Sequence, residues 1–125
     1  MSLIEKLEGV TDGSRELDAE IALAVGYTRA WHEDMAPNRG GWYWRNKDIG
    51  PTHETYDWPP LFSSSLDAAL TLVPEGGWQW QIRQDPNVYR AAIVGGIVPD
   101  LKIMRGLATS PALALCIAAL KARTP

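Results

Sequence analysis

The chain has 125 residues, a formal charge of -3 and 46% hydrophobic residues, which indicates one globular domain that buries about two thirds of its unfolded surface. An acidic balance argues against double-stranded nucleic acid and anionic membranes as partners, because both demand a clustered basic excess. The single Cys116 excludes an intramolecular disulfide. No apolar run approaches the length of a membrane span, and the N-terminus lacks a signal-peptide pattern, so we expect a cytoplasmic protein.

Helical periodicity marks the start of the chain. Residues 3–7 predict a short helix, and residues 14–25 predict a longer one because apolar residues recur on one face before a glycine. From residue 27 to 62 this periodicity disappears, and only residues 42–45 are predicted as a short strand. We therefore predict a single domain, 1–125, that carries an irregular, aromatic-rich insertion at about 27–62.

The second half of the chain is predicted as a helix, three strands and a helix. Residues 63–74 form the first helix, with Ser64 as its N-cap. Apolar and polar residues then alternate, which predicts an antiparallel meander over 78–83, 88–94 and 101–105. On the first strand Trp78 and Trp80 are assigned to the core. The intervening glutamines and arginine face solvent, which indicates a strand at an edge or partly uncovered.

The last segment, 109–123, is predicted as a core helix. It is rich in alanine and leucine, and Ser110 and Pro111 suit the start of a helix. Apolar residues surround almost its whole circumference, so no face of the helix is predicted to be exposed to solvent before Lys121 and Arg123 at its end. The elements together predict an α+β fold, in which an antiparallel sheet of three or four strands is packed by helices.

Three segments of the chain, 14–24, 65–78 and 108–123, resemble small phage and prophage proteins grouped as the phage ABA sandwich domain. They cover roughly a third of the chain. The resemblance implies a three-layer α/β/α sandwich and a phage or prophage origin, and hence the cytoplasm of a bacterial host. It implies no reaction, since the family supplies no activity to carry over. The chain departs from the family pattern at Gly76 and Gly77, where one glycine is expected, and in its unmatched middle.

Histidines and carboxylates in the middle of the chain are candidate metal ligands. They are His32, Glu33, Asp34, His53 and Glu54. Such side chains can hold a metal ion, but the two groups lie about twenty residues apart and no His-Glu-x-x-His spacing joins them. A metal-assisted hydrolase is therefore an alternative hypothesis beside ordinary surface polarity. No nucleophile motif or phosphate loop is present, so no catalytic residue and no cofactor are predicted.

Aromatic and basic residues concentrate in the same region. They are Trp42, Tyr43, Trp44, Arg45, Tyr56 and Trp58. Rings beside cations stack on single-stranded bases or sugars, anchor protein interfaces, or pack on helices of their own chain. Our leading hypothesis is a non-catalytic accessory or interaction protein, whose aromatic middle segment binds a protein partner or a second copy of the chain in a homodimer. Single-stranded nucleic-acid binding by this segment is the other alternative.

Overall fold

The computed structural model describes residues 2–32, 41–46, 55–56, 58–74, 78–95 and 101–123. The helices of these ranges are α1 (Leu3–Glu8), α2 (Arg15–Ala24), α3 (Leu66–Leu70) and α4 (Pro111–Arg123). The strands are β1 (Thr28–His32), β2 (Gly41–Arg45), β3 (Thr55–Tyr56), β4 (Gln79–Asp85), β5 (Val88–Gly95) and β6 (Lys102–Ala108). They form two antiparallel sheets, β1-β2-β3 and β4-β5-β6, which confirms the α+β prediction.

The first sheet lies within the segment that the sequence predicts as irregular. The single strand predicted at 42–45 is found as β2, and β1 and β3 pair with it on either side. The β1 pairing runs from Thr28 opposite Arg45 to His32 opposite Gly41. Neither β1 nor the two-residue β3 has an apolar alternation of its own. Their order comes from pairing with β2, which a local sequence pattern does not reveal.

Serine side chains begin all four described helices. The hydroxyl of each accepts a hydrogen bond from the amide three residues further on, which satisfies one free N–H of the first turn. These serines are Ser2, Ser14, Ser65 and Ser110. The predicted cap at Ser64 is wrong by one residue, because the amides of Ser64 and Ser65 both donate to Leu61 O in a turn that precedes α3.

Helix α4 forms the centre of the core, as predicted. Every residue from 112 to 120 is buried, and the helix packs on β5, β6, α1 and α3. Its approach to the sheet is close at Gly106, where a Cβ atom would lie 2.1 Å from the carbonyl oxygen of Ala114. Within the described ranges, none of the helices is long and apolar enough to cross a membrane.

The second sheet presents one face to α4, which we call the inner face. Its residues are Trp80, Ile82, Gln84, Tyr89, Ala91, Ile93, Gly95, Lys102, Met104, Gly106 and Ala108. Trp78 also packs against the core, with its ring lying on Gly95, where a Cβ atom would come within 2.2 Å of it. Trp80 is 47% exposed, so its assignment to the core is wrong. The reason is that β4 is an edge strand, whereas α4 lies over β5 and β6.

The opposite side of this sheet, the outer face, is exposed to solvent. Its residues are Gln79, Gln81, Arg83, Asp85, Val88, Arg90, Ala92, Val94, Ile103, Arg105 and Leu107. The prediction that the polar residues of β4 face solvent is confirmed, since Gln79, Gln81 and Arg83 are exposed. The α/β/α sandwich that the resemblance implies would need a second helical layer on this face, and none of the described helices lies there.

Candidate functional site

The residues predicted to hold a metal fall mostly outside the described ranges. His32 ends β1, opposite Gly41, while Glu33, Asp34, His53 and Glu54 lie in parts of the chain that the structure does not describe. Among the described residues, no three His, Cys, Asp or Glu side chains are placed to hold a metal ion. The metal-assisted hydrolase stays a prediction.

The predicted aromatic site is divided between strands and core. Trp42 and Tyr43 lie in β2, and Tyr43 pairs with Tyr56 of β3. For these three residues the structure describes the backbone and not the side chain. Trp44 is 3% exposed and belongs to the core, and the guanidinium of Arg29 lies 5.6 Å from its ring centroid. The ring of Trp44 is therefore covered by its own chain.

Trp58 is the predicted aromatic residue with a described and exposed side chain. It is 56% exposed, and the guanidinium of Arg15 lies 5.2 Å from its ring centroid. Arg15 is itself fixed, because its two terminal nitrogens donate to Asp18 Oδ2 at 2.8 Å and to Pro59 O at 2.7 Å. The cation beside Trp58 thus has partners within the chain. Arg45, also predicted as a binding residue, is half-buried at the end of β2.

Asp18 is the most deeply buried of the described carboxylates, and its hydrogen bonds are structural. It is 1% exposed. Its Oδ1 accepts from the Ser63 amide at 2.7 Å and from the Ser63 hydroxyl at 2.6 Å, while Oδ2 accepts from Arg15. Because a buried charge requires partners of this kind, the cluster holds α2 against the segment that leads into α3. Its buried carboxylate has no access to a substrate.

Cys116 is the single thiol of the chain, and the structure makes it unreactive. Burial, and then the negative charge of Asp18, raise the pKa of the thiol to about 12. Its Sγ lies 3.0 Å from Phe62 O, to which the thiol donates. The thiolate is the nucleophilic form of cysteine, so this residue acts as a small core side chain, as predicted.

The strongest candidate site is the outer face of the second sheet, where three arginines cluster. Arg83 of β4 lies directly opposite Arg90 of β5, and Arg105 of β6 lies opposite Ala92, one row of the sheet away. The small side chain of Ala92 leaves a cleft of about 550 Å³ among them. Gln81, Leu107, Glu8 of α1 and Lys121 of α4 also line this cleft. Like charges directly opposite on neighbouring strands repel, so the cluster attracts negative charge.

Among the described residues two carboxylates lie at this cluster: Glu8 lines the cleft beside Lys121, and Asp85 contacts two of the arginines. Asp85 accepts a hydrogen bond from Arg90 Nε, and its other oxygen lies 3.5 Å from Arg83 Nε. The hydrogen bond from Arg90 is the main cause of a lowered pKa for Asp85, so this carboxylate is ionised near neutral pH. It compensates one charge of the pair. No described carboxylate lies within ion-pair distance of Arg105.

The basic cluster belongs to a broader division of charge along the chain. Residues 78–123 contain six Lys and Arg against two Asp and Glu, whereas residues 1–24 contain two against six. The formal charge of -3 for the whole chain does not show that the two segments have opposite net charges. Counting charge by segment, together with the alternation of β4, is the sequence signal that would have indicated the cluster. The position of Arg90 and Arg105 beside Arg83 follows from the strand register, which the sequence pattern does not give.

Aliphatic side chains lie beside the arginines on this face. Ile103 and Leu107 of β6 are each about half exposed, as is Leu101 just before the strand. Arginine combined with apolar contact area is a composition that protein interfaces favour. Among the described residues of the outer face there is no aromatic ring on which a nucleic-acid base could stack.

Comparison of the chain with protein-family models, curated proteins and solved structures finds no match. The comparisons therefore transfer neither an activity nor a partner to this chain. The candidate site rests on the exposed side chains, charges and register of the second sheet.

Proposed function

We propose that this protein is a non-catalytic interaction module of phage or prophage type, which acts in the cytoplasm of a bacterial host and binds a protein partner through its outer face. The supporting observation is the cluster of Arg83, Arg90 and Arg105 beside the exposed Ile103 and Leu107, on a sheet face that no described helix covers. Phage origin is supported by the three segments that resemble the ABA sandwich family.

The chemistry of the outer face defines the kind of partner. Arginine pairs with carboxylates through two parallel hydrogen bonds, a geometry that lysine does not offer. Ile103 and Leu107 add apolar contact at the edge of the cluster. The proposed partner is therefore a protein surface that carries several carboxylates beside an apolar patch. A single-stranded nucleic acid is less well matched, because the described outer face has no stacking ring.

This proposal moves the binding surface away from the aromatic middle segment. Trp44 is buried in the core, and a buried ring gives no contact area to a partner. Trp58 is exposed and keeps a role as an additional contact. Asp18 is already hydrogen-bonded within the chain and the thiol of Cys116 stays protonated, so neither residue is assigned a catalytic role in this proposal.

Photo-cross-linking in bacterial cells tests this surface. A photoreactive amino acid that replaces Ile103 samples the outer face. The matched control carries the same photoreactive amino acid in place of Ser64, which is exposed in the turn before α3. We expect position 103, and not position 64, to yield a covalent product with a different protein. Combining the probe with Arg90→Glu and Arg105→Glu should remove the product. A product that survives these charge reversals, or no product at position 103, would overturn the proposal.

A further inference from the structure

Strand β4 forms an edge of the second sheet that no other described strand covers. Among the described strands it pairs with β5 alone. The register is continuous from Gln79 opposite Val94 to Asp85 opposite Val88, so no bulge turns this edge away, and its seven residues include no proline. Such an edge presents unpaired N–H and C=O groups to any strand that approaches.

The other edge of the sheet, β6, is covered by the chain itself. Helix α1 contacts this strand, and Lys121 Nζ donates a hydrogen bond to the carbonyl oxygen of Arg105 at 2.9 Å. Lys121 also lies 3.5 Å from Glu8 of α1. Among the described residues the two edges therefore differ, and β4 is the edge that neither a helix nor a second strand covers.

Trp80 marks the same edge on the inner face. The residue lies in the interior of β4, and nearly half of its surface is exposed because α4 does not extend over this strand. A large ring at an uncovered strand edge is typical of a contact surface, since burying it gains much apolar area. Ile82, two residues further on the same face, is partly buried beside it.

We infer that β4 pairs with β4 of a second copy of this chain, antiparallel about a two-fold axis through Gln81, to form a homodimer with one continuous six-stranded sheet. In this register Trp80 lies opposite the partner's Ile82 on the inner face, which is a favourable aromatic and β-branched pair. Gln79 lies opposite the partner's Arg83 on the outer face. No like charges meet, whereas an axis through Arg83 would place that arginine opposite its own copy.

The pattern of β4 makes a second copy the best-matched occupant. Between Gln79 and Arg83 its inner residues, Trp80 and Ile82, are apolar and its outer residues are polar, so a two-fold axis through Gln81 places like surfaces side by side on each face. Two-fold symmetric contacts of this kind are the commonest among homo-oligomers. The pairing goes beyond the proposed function and is independent of what the outer face binds, although it would join the two outer faces into one surface.

Sedimentation equilibrium tests the dimer. The wild-type chain should reach twice its monomer mass of 13.8 kDa as concentration rises. Trp80→Glu places a charge at the pairing edge and should leave a folded monomer. Trp58→Glu is the matched control, because Trp58 is exposed to a similar extent but lies far from β4 in sequence; this variant should remain dimeric. A wild-type chain that stays monomeric overturns the inference.

Cysteine cross-linking tests the register without relying on a destabilising variant. Gln81→Cys should form an intermolecular disulfide with its own copy, because opposed strand residues lie within about 4.5–5.5 Å between Cα atoms, inside the disulfide range. Gln79→Cys is the control: its two copies would be about 13 Å apart along the strand. Mixing Gln79→Cys with Arg83→Cys should restore a disulfide. Equal self-cross-linking at positions 79 and 81 overturns the register. The buried Cys116 does not interfere.

Discussion

At the scale of single residues, Gly106 sets how closely α4 approaches the sheet. A Cβ atom there would lie 2.1 Å from Ala114 O and 2.9 Å from Ala118 N, both of which are backbone atoms of α4. Neither can rotate away as a side chain can. We predict that Gly106→Ala lowers the free energy of unfolding by roughly 3 kcal/mol, at the upper end of overpacking effects, as measured by urea denaturation.

Gly9 provides the control for that substitution. It ends α1 with a φ of -96°, which alanine adopts without strain, and a Cβ atom there would meet its nearest neighbours at 3.7 Å. Gly9→Ala should therefore change stability by less than about 1 kcal/mol. If both variants unfold at the same urea concentration, the close packing of α4 on Gly106 is incorrect.

Cys116 leads to a second prediction for a single residue. With a pKa of about 12, only about one thiol in ten thousand is ionised at pH 8, and burial blocks the approach of a reagent. We predict that Ellman's reagent modifies the native protein at pH 8 no faster than the protein unfolds. In denaturant the thiol should react at once. Rapid reaction of the native chain would contradict the placement of Cys116 in the core.

At the scale of elements, the N-cap of α3 distinguishes two neighbouring serines. Ser65 Oγ accepts from the amide of Ala68, whereas Ser64 is exposed in the preceding turn. Ser65→Ala should cost about 1 kcal/mol of stability, as removal of a helix cap does. Ser64→Ala should cost less than about 0.5 kcal/mol. Thermal unfolding of the two variants compares them, and the reverse order would restore Ser64 as the cap.

The elements also show which structure a local pattern can predict. The helices α1, α2 and α4 and the strands β4, β5 and β6 are predicted within a few residues, because apolar periodicity and capping residues act over a short range. The strands β1 and β3 are missed, since they depend on pairing with β2 across the chain. Trp80 is misassigned for a similar reason: alternation predicts which face a side chain occupies, but not whether a helix covers it.

At the scale of the whole molecule, the candidate site depends on register and on the distribution of charge. Arg83, Arg90 and Arg105 are separated in sequence, and only the antiparallel pairing of three strands brings them to one face. The overall charge of -3 argues against a basic surface, although the segment from 78 to 123 has the opposite sign. The aromatic residues gave a stronger local signal, yet Trp44 contributes to the core. Net charge and composition describe the chain, whereas a binding surface is a property of the fold.

The proposed interactions share one physical cause, which is that α4 covers only part of the second sheet. Its outer face carries three arginines and exposed aliphatic side chains, and its β4 edge carries Trp80 and backbone groups that no other described strand pairs with. A protein partner on the face and a second copy at the edge would each complete a different part of this sheet.

Amide hydrogen exchange of β4 tests directly whether this strand pairs with a second copy of the chain. In an isolated chain the β4 amides that point away from β5 should exchange almost as fast as exposed backbone. We predict that they slow as protein concentration rises, while dilution or Trp80→Glu restores fast exchange. Uniformly fast exchange of these amides at every concentration would contradict edge pairing. Slow exchange at every concentration, with Trp80→Glu included, would mean that the edge is covered within the monomer.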